Sequence, residues 1–177
     1  MIEHKNVWIK TGYELFALSG PGALKVETIS KKVGISKSSF YHHFADLSLF
    51  IEQLLEHHLH QAQLMAAKEL SSKNIDPELI TVLLEHKMDL LFSRQLRIHR
   101  NEKQFYDALA ESNRTVGSAF VYLWAKELNI KLNPGQLEAL FELALENFFL
   151  QITYENLHYD WLSGYFTNLK RIAHHFN

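Results

Sequence analysis

The stretch that decides the fold is residues 26–44, VETISKKVGISKSSFYHHF. Its apolar residues recur at positions i, i+3 and i+7, along one face of a first short helix: Val26, Ile29 and Val33. Gly34 then ends this helix, because glycine adopts the left-handed conformation of a helix C-terminus at little cost. Ser36 can begin a second helix, since its hydroxyl oxygen can accept a hydrogen bond from a free N–H of the next turn. Two short helices joined by such a turn form a helix-turn-helix.

The second helix has an apolar back and a polar front. Phe40 and Phe44 are expected to hold it against the core, whereas small hydroxyl groups, a lysine, a tyrosine and histidines face outward. Small side chains allow the helix to approach base edges, and lysine can reach a phosphate or a base. This surface therefore suits a DNA groove.

The same stretch and the helix before it resemble the N-terminal domain of the TetR (tetracycline repressor/AcrR) family of bacterial transcription regulators. The resemblance covers roughly the first quarter to third of the chain and implies a three-helix DNA-binding domain whose third helix enters the major groove. It also implies a helical body with a small-molecule pocket, and a homodimer. The residues that carry it are Trp8-Ile9, Gly12, Leu15-Phe16-Ala17, Gly20, Val26-Glu27, Ile29-Ser30, Gly34-Ile35-Ser36-Lys37, Phe40-Tyr41-His42-His43-Phe44 and Leu49.

Eight candidate DNA-binding residues follow from the motif and from the resemblance. Within them, Lys37 has the alternative of a solvated surface lysine, Tyr41 that of a packing aromatic with an exposed hydroxyl, and Ser36 that of a cap only. The candidates are Lys25, Ser36, Lys37, Ser38, Ser39, Tyr41, His42 and His43.

The rest of the chain predicts further helices, and no strand-like alternation competes with them. We expect an all-α protein of about nine helices: a helix-turn-helix DNA-binding domain over residues 1–47, with its motif at about 25–44, and a helical regulatory and dimerisation domain over 48–177. Residues 1–50 hold six lysines and four acidic residues, a net charge of +2, whereas the remainder has a net charge of −4. This weak asymmetry fits DNA contact at one end only.

Residues for a ligand pocket and a dimer interface can be proposed only helix by helix. Polar residues on otherwise apolar helices and some aromatics are pocket candidates, although core packing explains each of them equally well or better: His86, Tyr106, Phe120, Trp124, Asn147 and Gln151. The resemblance places the dimer interface on the last two helices, where the candidates are Phe141, Leu145, Phe148, Tyr165, Leu169 and Ile172.

Other classes of function find little support in the sequence. The chain has no cysteine, no phosphate-binding glycine loop and no catalytic triad spacing, so we expect no enzyme activity, no cofactor and no metal. His57 and His60 share a helix face, but a polar surface is the more frequent explanation for such a pair. No signal peptide or membrane span is evident, and a cytoplasmic protein is expected.

We interpret the chain as a regulator of transcription, a ligand-responsive repressor that binds a palindromic operator in double-stranded DNA as a homodimer and responds to a small-molecule effector. The alternative is a helical dimer that binds a small molecule or a partner protein and has weak or lost DNA binding. Its support is Ala45-Asp46-Leu47, which stands where members of the family often have lysines that steady the protein on phosphate.

Overall fold

A computed structural model describes the backbone of residues 2–128 and 133–174, and their side chains except those of residues 2–4, 118–122, 128, 134 and 173–174. Within these residues the protein is all-α, as predicted, with a 3₁₀ turn at Pro21–Ala23 and a π-helical turn at Ile75–Leu79. The α-helices are α1 (Ile2–Ser19), α2 (Val26–Val33), α3 (Lys37–His43), α4 (Leu47–Ser71), α5 (Ile80–Glu85), α6 (Lys87–Ile98), α7 (Lys103–Leu128), α8 (Pro134–Gln151) and α9 (Tyr159–His174).

Two helix boundaries differ from those that the sequence pattern suggests. Asp76-Pro77 and the apolar spacing that follows predict a helix from residue 76 to about 92, but the structure divides it at His86, whose backbone leaves helical geometry while its Nδ1 lies 2.7 Å from Asp89 Oδ2. Conversely, Asn113 was expected to cap a new helix but lies inside α7, which is continuous because no proline interrupts residues 103–128 and its buried face continues through Ser112.

The described chain forms two compact units, the first of which comprises Met1–Gln61 and Leu91–Ser112. An aromatic cluster holds α3 within this unit. The Phe40 ring lies 5.4 Å from that of Trp8 on α1 and 5.2 Å from that of Phe50 on α4, and Phe44 lies 4.8 Å from Phe50. All four rings are buried, so α3 is fixed by the same core that joins α1 to α4.

A second aromatic cluster of this unit is built around Phe92 of α6. The Phe92 ring stacks on Tyr13 at 4.3 Å, on Phe16 at 4.2 Å and on His58 at 4.6 Å. His58 is a buried core histidine with two partners, because its Nδ1 lies 2.8 Å from the Tyr13 hydroxyl and its Nε2 lies 3.2 Å from Ser93 Oγ. Among the residues that the structure describes, no three histidines or acidic residues are grouped to hold a metal ion.

The second compact unit comprises Ala62–Leu90 and Asn113–Asn177. Asn133-Pro134 and Asp76-Pro77 each have the sequence signal of a cap residue followed by proline, and Asn133 does cap α8, in a reciprocal capping box with Gln136. The same signal at Asp76 was misleading, because Asn74 caps the next helical segment by accepting a hydrogen bond from the Glu78 N–H at 3.2 Å. The Asp76 carboxylate instead accepts hydrogen bonds from the Tyr159 hydroxyl and Ser163 Oγ of α9.

The two units do not divide the chain where the functional boundary was placed at residues 47/48. The first unit extends to Gln61 and takes in residues 91–112, so that α4, α6 and α7 each contribute to both units. The division at residue 47 remains a prediction about which residues contact DNA. None of the helices in the described part of the chain combines the length and apolar character that a membrane crossing requires.

Candidate nucleic-acid interface

The turn between α2 and α3 has the geometry that its sequence predicts. Gly34 lies in the left-handed region with φ 73° and ψ 21°, and its N–H donates to the Ser30 carbonyl at 2.9 Å. Ser36 is extended, and its Oγ accepts a long hydrogen bond from the Ser39 N–H at 3.4 Å. The turn therefore sets the direction of α3 through a glycine C-cap and a serine N-cap, which confirms the helix-turn-helix.

The third helix, α3, is amphipathic. Phe40 and the capping residue Phe44 are buried in the aromatic cluster. The predicted DNA-binding residues are on the other side, with Lys37, Ser38 and Tyr41 exposed. Tyr41 is 56% exposed and rests one edge of its ring on Phe40 at 5.4 Å, which leaves the hydroxyl free to reach a backbone phosphate.

The remaining candidates flank this face. His42 is exposed whereas His43 and Ser39 are half-buried, in agreement with adjacent histidines pointing in different directions. Lys25 is exposed at the start of α2, and Ser36, which both caps α3 and remains exposed, lies at the start of the next helix. The structure thus places the eight candidates around the turn and on the outer side of α3.

Sequence reasoning missed one charged residue of this surface. Glu27 of α2 accepts a hydrogen bond from the Lys37 ammonium and forms an ion pair with it. This hydrogen bond and the lysine charge lower the pKa of the Glu27 carboxyl. Both side chains are more than half exposed, so the pair is weak in stability terms. The pair offsets the positive charge of Lys37 at the start of α3.

The entrance to α4 confirms the departure noted in the sequence. Asp46 caps α4 by accepting a hydrogen bond from the Leu49 N–H at 2.9 Å. A negative charge therefore stands at the start of α4. The exposed Lys31 and Lys32 at the end of α2 supply positive charge on the same motif.

Of the five pocket candidates whose side chains the structure describes, one lies in the first unit and four lie in the second. Tyr106 belongs to the first unit and is 57% exposed, and Asn147 and Gln151 are exposed and bonded to each other, with Gln151 Nε2 donating to Asn147 Oδ1 at 2.6 Å. His86 and Trp124 are buried in the second unit. The side chain of Phe120 is outside the described residues.

The candidates for the dimer interface differ in how far they are exposed. Phe141 and Phe148 are buried in their own chain, where the Phe141 ring lies 6.3 Å from the Trp124 ring, and their place in a dimer interface stays a prediction. Leu145 and Leu169 are half-buried, Tyr165 donates to the Ala144 carbonyl at 3.0 Å, and Ile172 is exposed. Among the described residues of α8, the most exposed apolar side chains are those of Leu143 and Leu150, at 71% and 78% exposure, and the sequence analysis did not single them out.

Comparisons with known proteins agree with this fold. Residues 9–46 match the family model of bacterial regulatory proteins of the tetR family. A putative TetR-family transcriptional regulator from Rhodococcus sp. has 19% identity and a TM-score of 0.55, over 98% of this chain and 100% of the other. A transcriptional regulator (TerR/AcrR family) from Aquifex aeolicus VF5 has 20% identity and a TM-score of 0.64, over 96% of this chain and 99% of the other. No curated protein matches the sequence significantly.

The helix-turn-helix and the all-α body form the architecture that this chain shares with the two solved structures. The two structural likenesses show the fold, and the match over residues 9–46 coincides with the helices that present the candidate DNA surface. The match to the model of the tetR family of bacterial regulatory proteins covers the helix-turn-helix region of the chain.

Proposed function

We propose that the protein is a homodimeric repressor that binds a palindromic operator and releases it when a small effector binds the second unit. The observation that carries DNA binding is the outer face of α3, where Lys37, Ser38 and Tyr41 are exposed while Phe40 anchors the helix from behind. A short helix with this distribution can enter the major groove without disturbing its own core.

Dimerisation has both a physical reason and a candidate surface. A single recognition helix contacts few base pairs, whereas a two-fold dimer doubles the contacts on a palindrome. Leu143 and Leu150 are seven residues apart on α8 and therefore lie on one side of it, both strongly exposed. We expect a second copy of the chain to cover them together with Ile172 of α9, which is also exposed.

The dimer surface can be tested by substituting lysine at both leucines, Leu143→Lys and Leu150→Lys, with Leu64→Lys on α4 as a control at another exposed leucine. Charges placed in an apolar interface should shift the double variant from dimer to monomer in sedimentation velocity, whereas the control should sediment as the wild type does. A double variant that remains a dimer would reject this surface.

The effector response is assigned to α4, the one continuous helix that enters the first unit directly after α3 and ends in the second unit. An effector that binds one conformation of the second unit more tightly would shift the population toward it and displace α4. The change in operator affinity cannot exceed the difference in effector affinity between the two states.

The alternative function, a small-molecule- or partner-binding dimer with weak DNA binding, has two supporting observations. Asp46 caps α4 where lysines are frequent in the family, and Glu27 offsets Lys37. Both reduce the electrostatic attraction that supplies most non-specific DNA affinity.

Fluorescence anisotropy on DNA from upstream of the protein's own gene separates the two functions. The wild type, Lys37→Ala and Tyr41→Ala should be titrated over a salt series against this duplex and a scrambled one, with Lys73→Ala as an exposed lysine outside the motif. Preferential binding that only the motif substitutions weaken supports the regulator. If the gene's own DNA shows no preference, selection of bound fragments from the whole genome follows. The absence of any selected sequence would favour the alternative.

A further inference from the structure

Glu69 interrupts the buried face of α4 in the second unit. Its position continues an apolar stripe at helical spacing, after Ala62, Met65 and Ala66, and it is as buried as they are, with 2% of its surface exposed. A carboxyl group is rarely buried to this extent unless it is paired. The burial of an acidic side chain at this position therefore needs a physical explanation.

The Glu69 carboxyl has no partner among the described residues. Both of its oxygens are inaccessible to solvent and accept no hydrogen bond there, and burial raises the pKa of Glu69 to about 8. The adjacent Lys68 does not neutralise it, because its ammonium donates to Glu85 Oε2 at 2.8 Å on the exposed side. Burying an acid without a partner costs free energy, so a bound group that satisfies it would be strongly favoured.

Two other polar atoms of the same unit are buried without a hydrogen-bond partner among the described residues. They are His86 Nε2, between α5 and α6, and Trp124 Nε1, on α7. The His86 ring is held from its other side, where Nδ1 lies 2.7 Å from Asp89 Oδ2. Polar atoms without a partner thus occur on three helical segments of one unit.

Contacts within the unit link these segments. The Lys68–Glu85 pair joins the residues that directly precede Glu69 and His86. The Ile75 N–H donates to Glu127 Oε1 at 2.8 Å, which links the segment after α4 to α7, one turn beyond Trp124. These two contacts connect the end of α4 to the end of α5, and the segment that follows α4 to the end of α7, within the second unit.

We infer that the Glu69 carboxyl group is the recognition point for a small apolar molecule that carries a protonated amine. An ammonium group supplies both the hydrogen-bond donors and the positive charge that a buried carboxylate lacks, and the apolar remainder suits the methionine, alanine and tryptophan side chains of the unit. An anionic ligand would find no positive charge beside the protonated acid and would be repelled by its ionised form, and a neutral alcohol would supply one donor without charge. This inference rests on the proposed effector response and names its chemical class.

Three matched probes test the class of ligand: 4-phenylbutylamine, 4-phenylbutanol and 4-phenylbutyrate, measured by isothermal titration calorimetry on the full chain. The amine should bind about tenfold or more tightly than the alcohol, as expected for a charge-assisted contact in a dry site. At pH 7 its binding should release nearly one proton, visible as a heat that depends on the ionisation enthalpy of the buffer, because Glu69 must lose its proton to pair with the ammonium.

Two variants connect this preference to Glu69. Glu69→Gln should abolish both the preference for the amine and the proton release, whereas Glu56→Gln, at an exposed position of the same helix, should change neither. An amine that binds the wild type no better than the alcohol overturns the inference without reliance on any variant. Amine preference retained in Glu69→Gln also overturns it.

The DNA experiment distinguishes failure of this inference from failure of the proposed function. If the amine binds through Glu69 but leaves operator affinity unchanged, the recognition site stands and the effector response of the proposed repressor fails. If the amine shows no preference while the protein still binds its operator, Glu69 has no ligand role and the DNA-binding function is unaffected.

Discussion

The buried Glu69 should make the protein less stable as the pH rises through the neutral range, and Glu69→Gln should remove this loss. The pKa of Glu69 in the folded protein is about 8, against a reference value of 4.5, and burial is the cause. Below pH 4.5 the group is protonated in both the folded and the unfolded chain. Between 4.5 and 8 the folded chain keeps a proton that the unfolded chain releases, so stability falls as the pH rises.

The size of the effect follows from the pKa difference. Each pH unit in this window corresponds to about 1.4 kcal/mol, so at pH 7 the wild type is about 3 kcal/mol less stable than it would be if Glu69 stayed neutral at no cost. Glutamine has nearly the same shape and does not ionise. Glu69→Gln should therefore be more stable than the wild type by about 3 kcal/mol at pH 7, and by little at pH 4.5.

Urea unfolding at pH 5 and pH 8, at one fixed protein concentration, measures this difference. Other groups also titrate over this range, but they do so equally in both proteins, so the informative quantity is the gap between wild type and variant. The gap should widen from pH 5 to pH 8, whereas Glu56→Gln should follow the wild type at both. A gap of the same size at both pH values would refute the assignment of a buried, unpartnered acid at position 69.

Two further predictions concern residues of the first unit. Gly12→Ala should destabilise the protein by about 1–3 kcal/mol in urea unfolding, because an added Cβ would lie 2.4 Å from the ring of the fully buried Phe50 on α4. The control is Gly164→Ala in the second unit, where an added Cβ has nothing within 4 Å and should stabilise α9 by about 0.5–1 kcal/mol. Equal effects of the two substitutions on the free energy of unfolding would reject the close approach at Gly12. Glu27→Gln should release Lys37 for phosphate, raise affinity for random-sequence DNA and steepen the salt dependence by about one unit, with Glu52→Gln as an exposed control; an unchanged salt slope in anisotropy titrations would contradict this.

Local chemistry made the helix-turn-helix predictable from sequence. Gly34 and Ser36 determine the turn through their own backbone and side-chain preferences, and Phe40 marks the buried side of α3 by its spacing alone. The capping box at Asn133 was predictable for the same reason. Such features need no knowledge of distant residues.

Features that depend on distant partners were not predictable in the same way. Asp76 had the sequence signal of a cap, but its carboxylate accepts hydrogen bonds from the hydroxyl groups of Tyr159 and Ser163, which lie more than eighty residues further along the chain. Phe141 and Phe148 were assigned to an interface because they lie on α8, one of the last two helices, and the structure shows that both are also buried within their own unit. The sequence of one chain does not distinguish a phenylalanine of the core from a phenylalanine of a dimer interface.

Some missed residues did carry a usable signal. Leu143 and Leu150 lie outside the apolar stripe of α8, so a helical projection would have identified them as exposed. Glu69 continues the apolar stripe of α4, seven residues after Ala62, and following that stripe to the end of the helix would have identified it as a buried acid. The ion pair between Glu27 and Lys37 depends on the angle between α2 and α3, which only the fold defines.

The participation of residues 91–112 in the first unit has a consequence for synthesis of the chain. Phe16 stacks on Phe92 and lies 5.5 Å from the Phe105 ring, so the inner side of α1 stays uncovered until residue 105 has left the ribosome. Helix α3, complete at residue 43, is thus made long before the core beneath α1 can close. A fragment cut at residue 47 would expose Tyr13 and Phe16 to water, and DNA binding should become available only after more than half of the chain has been translated.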